Sequence, residues 1–218
     1  MSTPLLLFPR SRIVMPPRYM ATAGYYAVMA AYGRVTVDSS LRYDKRAKTV
    51  HRCEIADTRG RLSLTVPVSV PHGLEGRMRW DMVRVSRHGE WWRLQRTALE
   101  SAYGRTPYFE FLIDKFDTML ADPGSPDTAP SVIDLDRMAD ETIRHIIGLD
   151  NDVRWAPATD DDGDDMRRRD FTMAGMPVYR QLRADRIGFV DNLSVLDLIF
   201  NLGPESAFYL KELQSRIF

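Results

Sequence analysis

Residues 12–38 read R-I-V-M-P-P-R-Y-M-A-T-A-G-Y-Y-A-V-M-A-A-Y-G-R-V-T-V-D. Ile13, Val14 and Met15 form a short apolar run within residues 12–16, and Pro16-Pro17 closes it, as expected of a strand. Leu5–Phe8 competes for the same role. From Gly24 to Tyr32 the chain is apolar nearly all round, the pattern of a buried helix, with Gly33 at the C-cap position. Val35-Thr36-Val37, within residues 34–38, reads as a second strand. Strand, helix and strand within about thirty residues is βαβ spacing, which implies a parallel pair and an α/β fold.

Beyond this unit the pattern alternates from Thr49. Asp57-Thr58-Arg59-Gly60 is expected to turn a hairpin between residues 51–56 and 61–68, with Leu62, Leu64 and Val66 on one face and Pro67 at the strand end. Residues 72–79 read as a loop, and Met82, Val83 and Val85 as one more strand. Residues 90–103 are helical, with Trp91, Leu94, Ala98 and Tyr103 at helical spacing and Gly104 closing the helix. Thr106-Pro107 is the expected start of the next helix, whose apolar face is Tyr108, Phe109, Leu112, Phe116 and Leu120.

Residues 122–130 are linker-like, and Ser131 caps a helix running to Ile147 and ended by Gly148. A short strand is expected at 153–155, a solvated charge block at 159–169, and short strands at 178–182 and 187–190. Asn192-Leu193-Ser194 opens a helix, residues 201–204 break it, and Pro204 starts a last helix ending near Phe218. The expectation is a single α/β domain over residues 1–218, with a mixed sheet built from the βαβ unit and the hairpin. Helices from residue 90 onward cover it.

The 218 residues carry 30 basic and 30 acidic side chains, a formal net charge of zero, so a general nucleic-acid binder is not expected. One cysteine, Cys53, excludes an internal disulfide framework and a cysteine zinc cluster. No apolar run approaches the ~20 residues of a membrane span, and Leu5–Phe8 is too short for a signal segment. A cytoplasmic location is the expectation.

Residues 42–53, R-Y-D-K-R-A-K-T-V-H-R-C, concentrate cations just after the second strand. Lys45, Arg46 and Arg52 there suit a phosphate grip, and His51 suits proton transfer near neutral pH. The plainer alternative is a solvated loop with salt bridges to Asp38, Asp44 or Glu54. Asn192, Ser194, Asp197 and Asn201 are a second polar set. Ser194, Asp197 and Asn201 lie near one helix face, either lining a site or serving as caps and buried hydrogen-bonders. Residues 160–165 lack the glutamate of a calcium loop, since the twelfth position is Phe171. The aromatic group Trp91, Trp92, Tyr103, Tyr108, Phe109 and Phe111 reads as core more readily than as a sugar platform. His51, His72, His88 and His145 are not at ligand spacing, so no metal is expected. No dinucleotide fingerprint, phosphate loop or nucleophile elbow is present, so no cofactor is expected either.

Several segments together resemble the WbqC-like proteins in their short form. They are Tyr19 with Tyr25-Tyr26, Tyr43-Asp44-Lys45-Arg46 with His51-Arg52-Cys53, and residues 91–109. The run from Tyr179-Arg180-Gln181 through Gly188-Phe189 to 192–204, N-L-S-V-L-D-L-I-F-N-L-G-P, completes the set. The sequence departs from the family at Met20-Ala21-Thr22-Ala23, where a proline-rich loop is typical. The resemblance implies an α/β fold and a role in building surface polysaccharide of the O-antigen type, beside nucleotide-activated sugars. The expected substrate is a small anion such as a nucleotide sugar, handled by a transferase or, alternatively, by a non-catalytic binding or scaffold protein. The expected site has His51 and Asp197 as catalytic groups. Tyr19, Tyr43, Lys45, Arg46, Arg52, Asn192, Ser194 and Asn201 are expected to bind substrate.

Overall fold

A computed structural model describes residues 10–70 and 78–218, with the backbone alone for Asp160. The alternative strand at Leu5–Phe8, and the 72–79 loop up to residue 77, lie outside the described residues. The opening unit forms as its pattern requires. Strand β1 (Arg10–Met15) leads into helix α1 (Ala23–Met29) and returns as β2 (Tyr32–Asp38), parallel to β1 with Ile13 opposite Val35 and Met15 opposite Val37. Thr22 caps α1 by accepting from the Tyr25 amide, and all seven helix residues are buried. Ala30, not Gly33, is the C-cap. Gly33 already lies in β2, because the helix stops early enough to let the chain turn straight back into the sheet.

The hairpin follows as β3 (Arg52–Asp57) and β4 (Gly60–Thr65), paired antiparallel with Asp57 opposite Gly60. It does not extend the parallel sheet, which corrects the expected mixed sheet. Both flanks of β1 and β2 are taken by later strands, and the β3 carbonyl at Glu54 is met by the Ser194 amide at 2.7 Å instead of by a strand. Strands β5 (Val68–Ser69) and β6 (Arg84–Val85) form a small antiparallel pair. Met82 belongs to a 3-10 turn rather than a strand.

Helix α2 (Trp91–Tyr103) buries Trp91, Trp92, Gln95, Leu99, Ala102 and Tyr103 and leaves Leu94 outside. The next segment starts later than Thr106-Pro107 implies, as α3 (Phe109–Leu112) followed by a 3-10 turn. The Thr106 hydroxyl donates back to the Tyr103 carbonyl at 2.7 Å and so does not cap a helix. Helix α4 (Val132–Ile147) has the expected bounds, Ser131 accepting from the Asp134 amide and Gly148 ending it with φ +76°.

Strand β7 (Asp152–Ala156) then adds to the outer side of β2, and β8 (Asp164–Asp165) to the outer side of β1, both parallel. The parallel sheet order is β7-β2-β1-β8. The charge block therefore supplies an edge strand as well as a loop. Gly163 permits this approach, because a Cβ there would sit 2.3 Å from the Arg12 carbonyl oxygen. Residues 178–182 and 187–190 form no strands, since they pair through side chains rather than with a neighbouring strand. Between them lies the one-turn helix α5 (Ala184–Ile187). Helix α6 (Val195–Leu202), capped by Ser194, and α7 (Ser206–Ile217) finish the chain, and α7 packs across α1. One continuous core runs from the sheet through α1, α2, α4, α6 and α7. No helix among the described residues is long and apolar enough to cross a membrane.

Candidate functional site

In an open parallel sheet the crevice lies beyond the carboxyl ends of the strands, where neighbouring connections diverge. Here β1 leads through α1 to β2 on one side and has β8 on the other. The loops leaving β1, β2 and β8 carry residues 16–18, 41–50 and 167–170, and they enclose one cleft in two connected compartments. Arg18, Lys48, Thr49 and Asp170 belong to both compartments and form the seam.

The outer compartment is open, about 810 Å³, and strongly cationic. Arg18, Arg42, Arg46, Lys48, Arg167, Arg168 and Arg169 face two acids, Asp44 and Asp170, in a chain whose net charge is zero. Tyr43 and Trp80 add an edge-to-face aromatic pair at 4.7 Å. Arg167 is held in place by Asp165 at 2.8 Å and by Asp38 at 2.9 Å, which raise its pKa in that order. The side chains of Arg42, Arg46, Lys48 and Arg168 make no hydrogen bond or ion pair with any of the described residues. An anion would meet uncommitted positive charge there rather than compete for paired groups.

The inner compartment is smaller, about 340 Å³, with Tyr19, Met20, Ala21, Tyr25 and Phe171 in its wall beside the polar Arg52, Glu54, Asn192 and Ser194. Its polar atoms are largely committed. The Tyr19 hydroxyl donates to Gln95 Oε1 at 2.8 Å, the Tyr25 hydroxyl to the Pro16 carbonyl at 2.9 Å, and the Ser194 hydroxyl to the Met20 carbonyl at 2.7 Å. The Asn192 amide is tied to the Met173 backbone in both directions. Burial pushes the Cys53 thiol up to about 12, so it is no thiolate at neutral pH. Met20 holds φ +42°, a left-handed conformation rare for a side chain of this size, which turns its carbonyl onto Ser194. The departure from a proline-rich loop thus forms a wall of this compartment.

Arg18 spans the seam. Its guanidinium donates to Thr49 Oγ1 and to the Arg169 carbonyl at 3.3 Å, and lies 5.7 Å from the Phe171 ring centre. Its Nε is buried without a partner, and burial lowers its pKa against the pull of Tyr25, Asp170 and Asp136.

The residues singled out from the sequence divide into two groups. Tyr19, Arg52, Asn192 and Ser194 meet at the inner compartment, and Tyr43 and Arg46 at the outer one. Lys45, His51, Asp197 and Asn201 border neither. His51 Nδ1 lies 2.9 Å from the Val66 carbonyl, beside Trp80. Burial lowers its pKa and the Val66 carbonyl opposes, while Lys48 and Arg52 lower it further. Asp197 is buried, accepts from the Tyr179 hydroxyl at 2.5 Å and Gln181 Nε2 at 2.9 Å, and burial raises its carboxyl pKa. Asn201 binds the Leu182 amide and the Asp197 carbonyl. Both residues fasten segment 179–190 to α6. Arg18, Asp170, Phe171 and the 167–169 arginines join the lining beyond the residues that the sequence singles out. The one available signal was Arg18 following Pro16-Pro17 at a strand end. Among the described residues no group of three or more His, Cys, Asp or Glu is placed to hold a metal ion.

Fold and cleft define an α/β protein with a cation-lined crevice at the carboxyl edge of a short parallel sheet. A family model for the WbqC-like protein family matches residues 17–169, and the chain belongs to that family. The match covers the three cleft loops except Pro16 and Asp170 and stops before the 192–204 run. Comparison with curated proteins and with solved structures returns no match.

Proposed function

We propose that this protein binds a nucleotide-activated or otherwise phosphorylated sugar and acts on it as a cytoplasmic transferase of surface-polysaccharide biosynthesis. The observation that carries the reading is convergence. The basic segment 42–52, the arginines 167–169 and the N-terminus of α6 come from distant parts of the chain and border one cleft. Arg46, Lys48 and Arg168 hold phosphate oxygens, and Arg52 with Asn192 and Ser194 frames the inner end. Glu54 and Asp170 are the acids lining the inner compartment, and proton transfer falls to them rather than to His51 or Asp197.

A second reading, a binding protein without turnover, is favoured by one specific observation. The hydroxyls of Tyr19, Tyr25 and Ser194 are already donated to protein acceptors, and the Cys53 thiol is held protonated. Thermal shift against nucleotide sugars, nucleoside diphosphates and pyrophosphate tests the shared part of both readings, because a ligand that binds only the folded state raises Tm. A rise that shrinks in Arg46→Ala supports the site. No rise with any of these anions overturns it. Release of nucleotide on incubation with acceptor glycans then separates transferase from binder.

A further inference from the structure

We infer that the cleft binds a nucleotide with its base in the inner compartment and its phosphates in the outer one, with Arg18 reading the junction between them. The inference rests on the phosphate-binding reading above and adds the orientation and the part of the ligand that confers specificity.

The argument is one of unsatisfied hydrogen bonds. A hexose carries a hydroxyl on nearly every carbon, and each buried without a partner costs free energy. The inner compartment has few neutral partners to offer, because Tyr19, Tyr25, Ser194 and Asn192 have spent their polar groups on Gln95, Pro16, Met20 and Met173, and its other polar groups are mostly the charged ones of Arg18, Lys48, Arg52, Glu54 and Asp170. A nucleobase presents two apolar faces and confines its polar atoms to its edge. The apolar surface it needs is supplied by Ala21 and Phe171, each 6 % exposed, with the Phe171 ring braced edge-to-face on the buried Tyr25 at 5.0 Å. Glu54, paired with Arg61 at 3.1 Å through one oxygen, and Arg52, whose Nε donates to Thr65 Oγ1, each keep a further polar atom for the base edge. About 340 Å³ lies at the small end of ligand pockets and suits a nucleoside rather than an extended chain. Outward from the seam the lining turns cationic, as phosphates require. Arg18 stands where the two environments meet, its buried Nε lacking a partner.

The test is competition calorimetry on the full chain with four phosphorylated probes: a nucleoside 5′-diphosphate, pyrophosphate, a sugar bisphosphate and an alkyl diphosphate. The nucleoside diphosphate is expected to bind about tenfold or more tightly than pyrophosphate, the scale of one base–aromatic stack. Phe171→Leu, chosen because it leaves a smaller cavity than Phe171→Ala while still removing the aromatic face, is expected to narrow that ratio. Arg18→Lys is expected to weaken the nucleotide more than pyrophosphate. Equal binding of nucleotide and pyrophosphate overturns the orientation while leaving the anion site standing. Tighter binding of the sugar bisphosphate or the alkyl diphosphate overturns it in favour of that group. Failure of pyrophosphate itself to bind removes the phosphate-binding reading and this inference with it.

Discussion

Replacing Arg167 by alanine removes the countercharge of a buried carboxylate and tests how the outer wall is held. Asp38 ends β2 and is 1 % exposed. It accepts from Arg167 Nη1 at 2.9 Å, from the Ser40 hydroxyl at 2.7 Å, and from the amides of Ser40 at 3.0 Å and Ala158 at 3.3 Å. Burial raises the Asp38 pKa, but the bonds from Ser40, Arg167 and Ala158 outweigh it and hold the carboxyl below its ordinary value. Breaking a fully buried ion pair costs about 3–5 kcal/mol. Arg167 remains 34 % exposed and three other donors stay on Asp38, so the cost here is about 2 kcal/mol. For a chain of this length that lowers Tm by about 4–8 °C.

The dependence on pH has a definite sign. A carboxyl with a depressed folded pKa stabilises above its unfolded pKa, and that contribution is lost as pH falls through the folded value. The gap between wild type and Arg167→Ala should therefore be full at pH 7 and shrink below about pH 4. Thermal unfolding followed by circular dichroism without ligand, at both pH values, measures it. A gap below about 0.5 kcal/mol at pH 7, or one equally large at pH 3, refutes the reasoning.

Three further outcomes are expected. Asp136 is fully buried on α4 with neither carboxylate oxygen bonded. Burial raises its pKa well above the usual range, Asp140 adds to that, and Arg18 opposes. A raised folded pKa means stability is lost as pH climbs from the ordinary carboxylate value, so the wild-type Tm should decline toward neutral pH more steeply than that of Asp136→Asn, and parallel curves would sink the idea. Asp197→Ala leaves the Tyr179 hydroxyl without its acceptor and takes one of two close acceptors from Gln181 Nε2, which keeps the Val190 carbonyl. About 2 kcal/mol should be lost in urea unfolding, with faster proteolysis within residues 179–190, and an unchanged midpoint contradicts this. Gly24→Ala adds a Cβ that would sit 2.3 Å from the Phe171 carbonyl oxygen. It should displace Phe171 and weaken nucleotide binding despite the better helix propensity of alanine, and a variant that melts higher and binds as wild type argues against it.

Elements bounded by their own local chemistry were legible in the sequence. Helix α4 runs between a serine cap and a left-handed glycine, both within reach of the residues they serve. The βαβ unit declared itself through two β-branched runs flanking an apolar helix. The candidate site was half legible for the same reason, since Arg46, Arg52, Asn192 and Ser194 carry chemistry that can be read residue by residue. Side-chain periodicity placed Ser194, Asp197 and Asn201 on one helix face but could not say what that face meets. Ser194 reaches the cleft, whereas Asp197 and Asn201 meet segment 179–190.

Pairing between distant residues was decided by the tertiary structure alone. Ile13 pairs with Asp164 across some 150 residues, so a stretch whose charge pattern reads as solvated becomes an edge strand and its arginines become a cleft wall. Arg18 likewise acquires its role only when residues 49, 169 and 171 are brought around it. The sequence by itself determined the helices, the parallel pair and the store of cations, because hydrophobic period and capping act over a few residues. Which of those cations share a cleft depended on loops closed over a hundred residues or more, and no local signal encodes that closure.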